Sequence, residues 1–137
     1  MIKKTVIGIL IFGLIAVIGF FVFVANFDIF ESPKVSILKT ECDYKGLRRV
    51  ILSRTNGNAV TNSSIEITVT KCDSINSENI ETIFIADSPN LKENDVKFKW
   101  KNLDTLTIVH NQNLKIFRQM NVSESVNPKI IFEYVTE

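Results

Sequence analysis

The chain has 137 residues, with 16 Lys and Arg against 15 Asp and Glu, one histidine, two cysteines and a hydrophobic fraction of 45%. A formal charge of +1 leaves no clustered positive excess for nucleic acid, and two cysteines with one distant histidine fall short of a four-ligand metal site. The apolar residues are unevenly spread: six of the ten phenylalanines (Phe12, Phe20, Phe21, Phe23, Phe27, Phe30) fall in the first thirty positions.

From Thr5 to Ala25 the chain carries no charge and no strong polar group. As a helix this run is roughly 31 Å long, the thickness of a bilayer's hydrocarbon core. A secretory leader would have a shorter apolar region ending in a small-x-small site, but Phe23 occupies a position where a small residue is needed. Neither cysteine follows the run, so there is no lipidation motif. Glycines at 8, 13 and 19 are not four apart, which leaves no GxxxG face. The expectation is an uncleaved signal-anchor over residues 1–30, its N-terminus held in the cytoplasm by Lys3 and Lys4. Residues 31–137 then form one extracytoplasmic domain. Removing Lys3, Lys4 and Asp28 from the totals leaves 14 bases and 14 acids, so the domain is formally neutral.

Asn26 to Pro33 reads as a short linker. Beyond it the period becomes two. Val35 and Ile37, then Leu47, Val50 and Leu52, suggest two strands. Ile65, Ile67 and Val69 alternate with Glu66, Thr68 and Thr70. Thr82–Ala86 is a β-branched run, and Val96, Phe98 and Trp100 alternate with Lys97, Lys99 and Lys101 as the wet face of a strand. Segments 105–109, 114–117 and 130–135 complete the set. Seven or eight strands with one buried face each imply an all-β domain, a small antiparallel sandwich or partly open barrel. Face matching suggests a meander: Phe98 beside Leu106 and Val96 beside Ile108, then Ile108 beside Ile116 and Leu106 beside Arg118 across Asn111–Asn113. Thr55-Asn56-Gly57-Asn58 is the strongest turn signal and should join strands 47–53 and 63–71.

Cys42 and Cys72 each lie fifteen residues from Gly57, so a hairpin folded there brings them to its open end. In an oxidising compartment they should form a disulfide. His110, at a strand end, has no nucleophile-elbow context, and the carboxylates show no catalytic pairing. Asn62-Ser63-Ser64 and Asn121-Val122-Ser123 match a glycosylation pattern that an Asn- and Ser-rich chain produces by chance. Trp100 is expected in the core, its indole N–H seeking a partner.

The segments Arg49-Val50-Ile51-Leu52-Ser53-Arg54, Ile83-Phe84-Ile85-Ala86-Asp87, Val96-Lys97-Phe98-Lys99-Trp100 and Asp104-Thr105-Leu106-Thr107-Ile108 resemble small bacterial envelope proteins of unknown function, anchored by an N-terminal helix or a lipid. The resemblance covers about residues 45–118 and implies fold and location, with no activity. Relatives of that group often carry Asp-Cys-Gly-Ala-Thr-Thr where this chain has Arg54 to Thr61, so any role of that cysteine does not transfer. The functional expectation is a non-catalytic module without cofactor that binds or shields a protein partner at the membrane. An anchored immunity or inhibitor protein is the alternative, and an envelope hydrolase a third class.

Overall fold

The computed structural model describes residues 2–26, 33–57, 61–73 and 79–137. The expected linker, apart from its end residues Asn26 and Pro33, and Asn58 of the expected turn lie outside the described residues. The chain divides into two units, Met1–Ser32 and Pro33–Glu137. The first contains helix α1 (Ile2–Asn26), whose Thr5–Asn26 stretch is long and apolar enough to cross a membrane.

Among its described residues the second unit contains eight strands, at the positions where period-two or β-branched runs occur. They are β1 (Val35–Cys42), β2 (Arg48–Thr55), β3 (Ser63–Lys71), β4 (Glu81–Ser88), β5 (Val96–Trp100), β6 (Thr105–His110), β7 (Lys115–Gln119) and β8 (Ile131–Thr136). One sheet has the order β1-β2-β3-β4-β7, the other β5-β6-β8. All pairs are antiparallel except β6 and β8, which run parallel, so the smaller sheet is mixed.

Alternating residues from both sheets meet in one core. Val50, Leu52, Ile65, Ile67 and Val69 face Val96, Phe98, Trp100, Leu106, Ile108 and Phe132 across the sandwich, all buried. On β4 the register shifts opposite Ile67/Thr68, and the extra residue lets Ile83 and Phe84 both turn inward. Gly57 is where the β2–β3 connection closes on itself: a Cβ there would stand 2.0 Å from the Thr61 carbonyl oxygen. Gly46, with φ 68°, supplies the left-handed position of the β1–β2 turn.

Two expected pairings are corrected. The β5–β6 hairpin exists, but Phe98 faces Ile108 and Trp100 faces Leu106, two residues from the expected register. The loop is longer than expected because Asn102 Oδ1 accepts the amides of Asp104 and Thr105, making a wider turn. A shift of two preserves the faces, so the core assignment is unaffected. The β6–β7 hairpin does not form. After Asn111, whose side chain accepts the Asn113 amide, the chain crosses to the larger sheet, and β7 pairs with β4. Ile116 is therefore an edge residue at 36% exposure and does not share the core face of Leu106 and Ile108.

Every sheet edge carries a device against strand addition. β1 has a bulge at Leu38 followed by Lys39, and β7 a bulge at Phe117 flanked by Lys115 and Arg118. β5 presents Lys97 and Lys99, and the start of β8 is met by the Val122–Ile131 bridge.

Candidate functional site

The two ends of the sandwich differ. Where the chain enters at Pro33, the loops present Ser88, Asn90, Lys92, Asp95 and Asn113 around a polar crevice of about 270 Å³. The other end is reached by following β1 over its eight residues, roughly 26 Å. There the loops carry Tyr44 (69% exposed), Leu47 (47%), Ile80 (47%) and Leu103 (49%).

Beneath these tips lies the most elaborate polar contact among the described residues. The period that points Val50 and Leu52 inward also points Arg48 inward, and its side chain is 1% exposed. Its Nε donates to Asp43 Oδ2 at 2.6 Å, and Nη2 donates to the Leu103 carbonyl at 2.5 Å. Nη1 donates to the carbonyls of Pro128 and Lys129 at 3.0 and 3.1 Å and lies 3.0 Å from Asp104 Oδ1. The guanidinium sits 5.5 Å from the centre of the Trp100 ring. Asp43 in turn accepts the Leu47 amide at 2.8 Å. One planar fork thus ties the β1–β2 turn, the β5–β6 turn and the segment before β8 into a single rigid end. Only arginine offers five donors in that geometry. The loop it reaches last contains a cis Asn127–Pro128 bond.

Cys42 and Cys72 border this end. The structure joins them, with Cα atoms 5.9 Å apart. Both lie at the open end of the β2–β3 hairpin, as the spacing predicts, without forming a cross-strand pair of it. Cys42 ends β1 and Cys72 follows β3, on either side of β2, and they meet where the chain has turned out of β2 at Leu47. The Cys72 amide donates to the Leu47 carbonyl, and Arg49 donates to the Cys72 carbonyl. In the chain-entropy model a loop of about thirty residues contributes roughly 3–4 kcal/mol. Reduction of the intact protein should lower its stability by about that much, read as a shift of the denaturation midpoint; no shift would show that the crosslink constrains nothing.

His110 is buried in an aromatic cluster, its ring 5.7 Å from that of Phe84 and 6.5 Å from that of Tyr134. It is a packing residue. Ser123 is fully buried, its hydroxyl accepting the Ile130 amide, while Asn121 and Asn62 are exposed. Among the described residues no group of three or more His, Cys, Asp or Glu is placed to hold a metal ion. A cleft of about 350 Å³ runs between β1 and β5 over Leu38, Leu52, Val96 and Phe98. Lys39 lies across it, its Nζ 4.3 Å from the Phe98 ring centre, donating to the Phe98 carbonyl at 3.0 Å and paired with Glu41.

Titration of the clamp follows from its bonds. Burial pushes the Asp43 carboxyl upward, but hydrogen bonds from Arg48 and the Leu47 amide outweigh it and hold the group below its ordinary value. Glu81 behaves alike: burial raises it, and donors from Ser125 and Glu124 bring it below the usual range. Both folded pKa values lie under the unfolded ones, so both contributions are complete above about pH 5 and fade as pH falls through the folded values. Tyr134 has the opposite sign. Burial raises its phenol to about 12, so its contribution is lost as pH climbs from 10 towards 12. Denaturant midpoints should be flat near neutrality and fall on both sides. Asp43→Asn and Glu81→Gln together should flatten the acid limb; an unchanged limb would mean other carboxylates control it.

The chain belongs to a family of unknown function (DUF5412), whose pattern matches residues 2–122, from α1 through β7. No curated protein and no solved structure matches it.

Proposed function

We propose that the chain is a single-pass membrane protein whose β-sandwich faces the cell exterior and binds a protein partner through the loop end fixed by Arg48. The observation that carries this reading is the placement of Tyr44, Leu47 and Leu103: large side chains, exposed, on turns that one buried cation joins through the Asp43 carboxylate and the Leu103 carbonyl. Exposed aromatic and aliphatic groups on a rigid frame lose little freedom on binding. The sheet edges are guarded, and the β1–β5 cleft is covered by Lys39, so recognition falls to the loops.

Lys3 and Lys4 on the short flank of α1 and a cysteine pair at bonding distance both favour the outward orientation. The chain is read as a binding module rather than an enzyme, since its one histidine serves the core. A toxin or hydrolase intercepted at the membrane is a partner such an end would suit.

Protease added to spheroplasts should cut beyond residue 33, and alkylation without reductant should find Cys42 and Cys72 unreactive in protein from its native compartment. Full protection from protease, or two freely alkylated thiols, would contradict the outward reading. Tyr44→Ser with Leu103→Asp should reduce co-purification of the partner from detergent-solubilised membranes by about tenfold or more. The melting of the protein should change by less than about 0.5 kcal/mol, as both sites are exposed. Unaltered co-purification would exclude the loop end.

A further inference from the structure

The outer face of the smaller sheet has a composition that neither core packing nor the loop end explains. Cross-strand neighbours form rows: Lys97, Val109 and Val135 in one, then Lys99, Thr107 and Glu133. At the end of the face stand Ile131 and its bridge partner Val122. Val122, Ile131 and Val135 are 39–50% exposed, and the β5 lysines are fully on the surface. Glu133 is the one acid on these rows, and Lys101 neutralises it at 2.8 Å. Among the described residues Lys97 and Lys99 have no ion-pair partner. The face therefore carries two uncompensated cations along its β5 side, Thr107 and Val109 at its centre, and Ile131 and Val135 on either side of the paired Glu133 along β8.

We propose that this face docks on the anionic headgroups of the bilayer that holds α1. The inference rests on the anchor reading and adds to it. Six residues separate Asn26 from Pro33, and a chain of that length extends at most about 25 Å. A tether of this kind supplies a high effective concentration, and weak contacts then suffice. On an anionic leaflet, each lysine within a Debye length of the surface, about 8 Å, raises the docked population about fivefold, so roughly 25-fold for the pair. Val109, Val122, Ile131 and Val135 would rest on the interface beside the Glu133 carboxylate, which Lys101 already neutralises. A docked sheet face would hold the sandwich in a limited set of orientations.

The test is amine acylation of the full-length chain in vesicles of phosphatidylcholine alone or with added phosphatidylglycerol, read lysine by lysine by mass spectrometry. Lys97 and Lys99 should react about tenfold more slowly in the anionic vesicles, with Lys45 on the β1–β2 turn as reference, and high salt should restore their rate. Equal rates in the two lipids would overturn the proposal. So would protection that persists in salt or in phosphatidylcholine alone, which would point to a second copy of the chain on this face. A chain that washes from both kinds of vesicle at alkaline pH would instead overturn the anchor reading, and this inference with it.

Discussion

Arg48→Ala should destabilise the sandwich by about 3–5 kcal/mol, a large part of what a domain of this size possesses. The loss has two sources. Asp43, whose side chain is fully buried, would keep its charge with no cation beside it, and the carbonyls of Leu103, Pro128 and Lys129 would lose their donor. Arg48→Lys should recover only part, because an ammonium cannot reach both turns and the segment before β8 at once. Asp104→Asn is the contrast: its carboxylate is half exposed, so it should cost less than about 1 kcal/mol. Urea melts of the four proteins decide this. A mild effect of Arg48→Ala, near that of Asp104→Asn, would mean that the three loops are held by something else.

The second large effect concerns the centre of the core. Trp100→Ala or Phe98→Ala should cost about 3–5 kcal/mol, since each removes an aromatic ring from a site at most 6% exposed. Lys97→Ala and Lys99→Ala, on the opposite face of the same strand, should change stability by less than about 0.5 kcal/mol. Trp100 allows a finer test. Its Nε1 is buried and finds no acceptor, so Trp100→Phe keeps a ring beneath Arg48 and removes an unsatisfied donor. It should cost far less than Trp100→Ala. If Trp100→Ala left folding intact, the assignment of β5 to the core would fail.

These contrasts show what was legible in the residues. The strands stand where alternation or β-branched runs placed them, although β7 buries none of its five residues. Alternation says which way a side chain points and nothing about which strand lies alongside. That is why Asn111–Asn113 looked like a hairpin turn although it hands the chain to the other sheet, and why the parallel pairing of β6 with β8 left no local trace. The inward position of Arg48 was available from the parity of Val50 and Leu52. Its partners were not: Leu103 is 55 residues away and Lys129 is 81, and contacts so distant in sequence follow from the sheet topology alone. The cysteines were placed near one another by their equal distance from Gly57, and both do lie at the open end of the β2–β3 hairpin. The spacing left their strands open: they belong to those on either side of β2. Tyr44, Leu47 and Leu103 gain meaning only once Arg48 is seen to join their turns.

Site-specific photocrosslinking in intact cells tests the central claim most directly. A photoreactive residue would be placed in turn at positions 44, 47 and 103 of the loop end, and at 66 on the outer face of the larger sheet. The expected result is one discrete protein adduct shared by 44, 47 and 103, absent at 66, and lost when Arg48 is replaced by lysine in a protein that remains folded. Adducts of equal yield from position 66, or none from the three loop positions, would contradict the account.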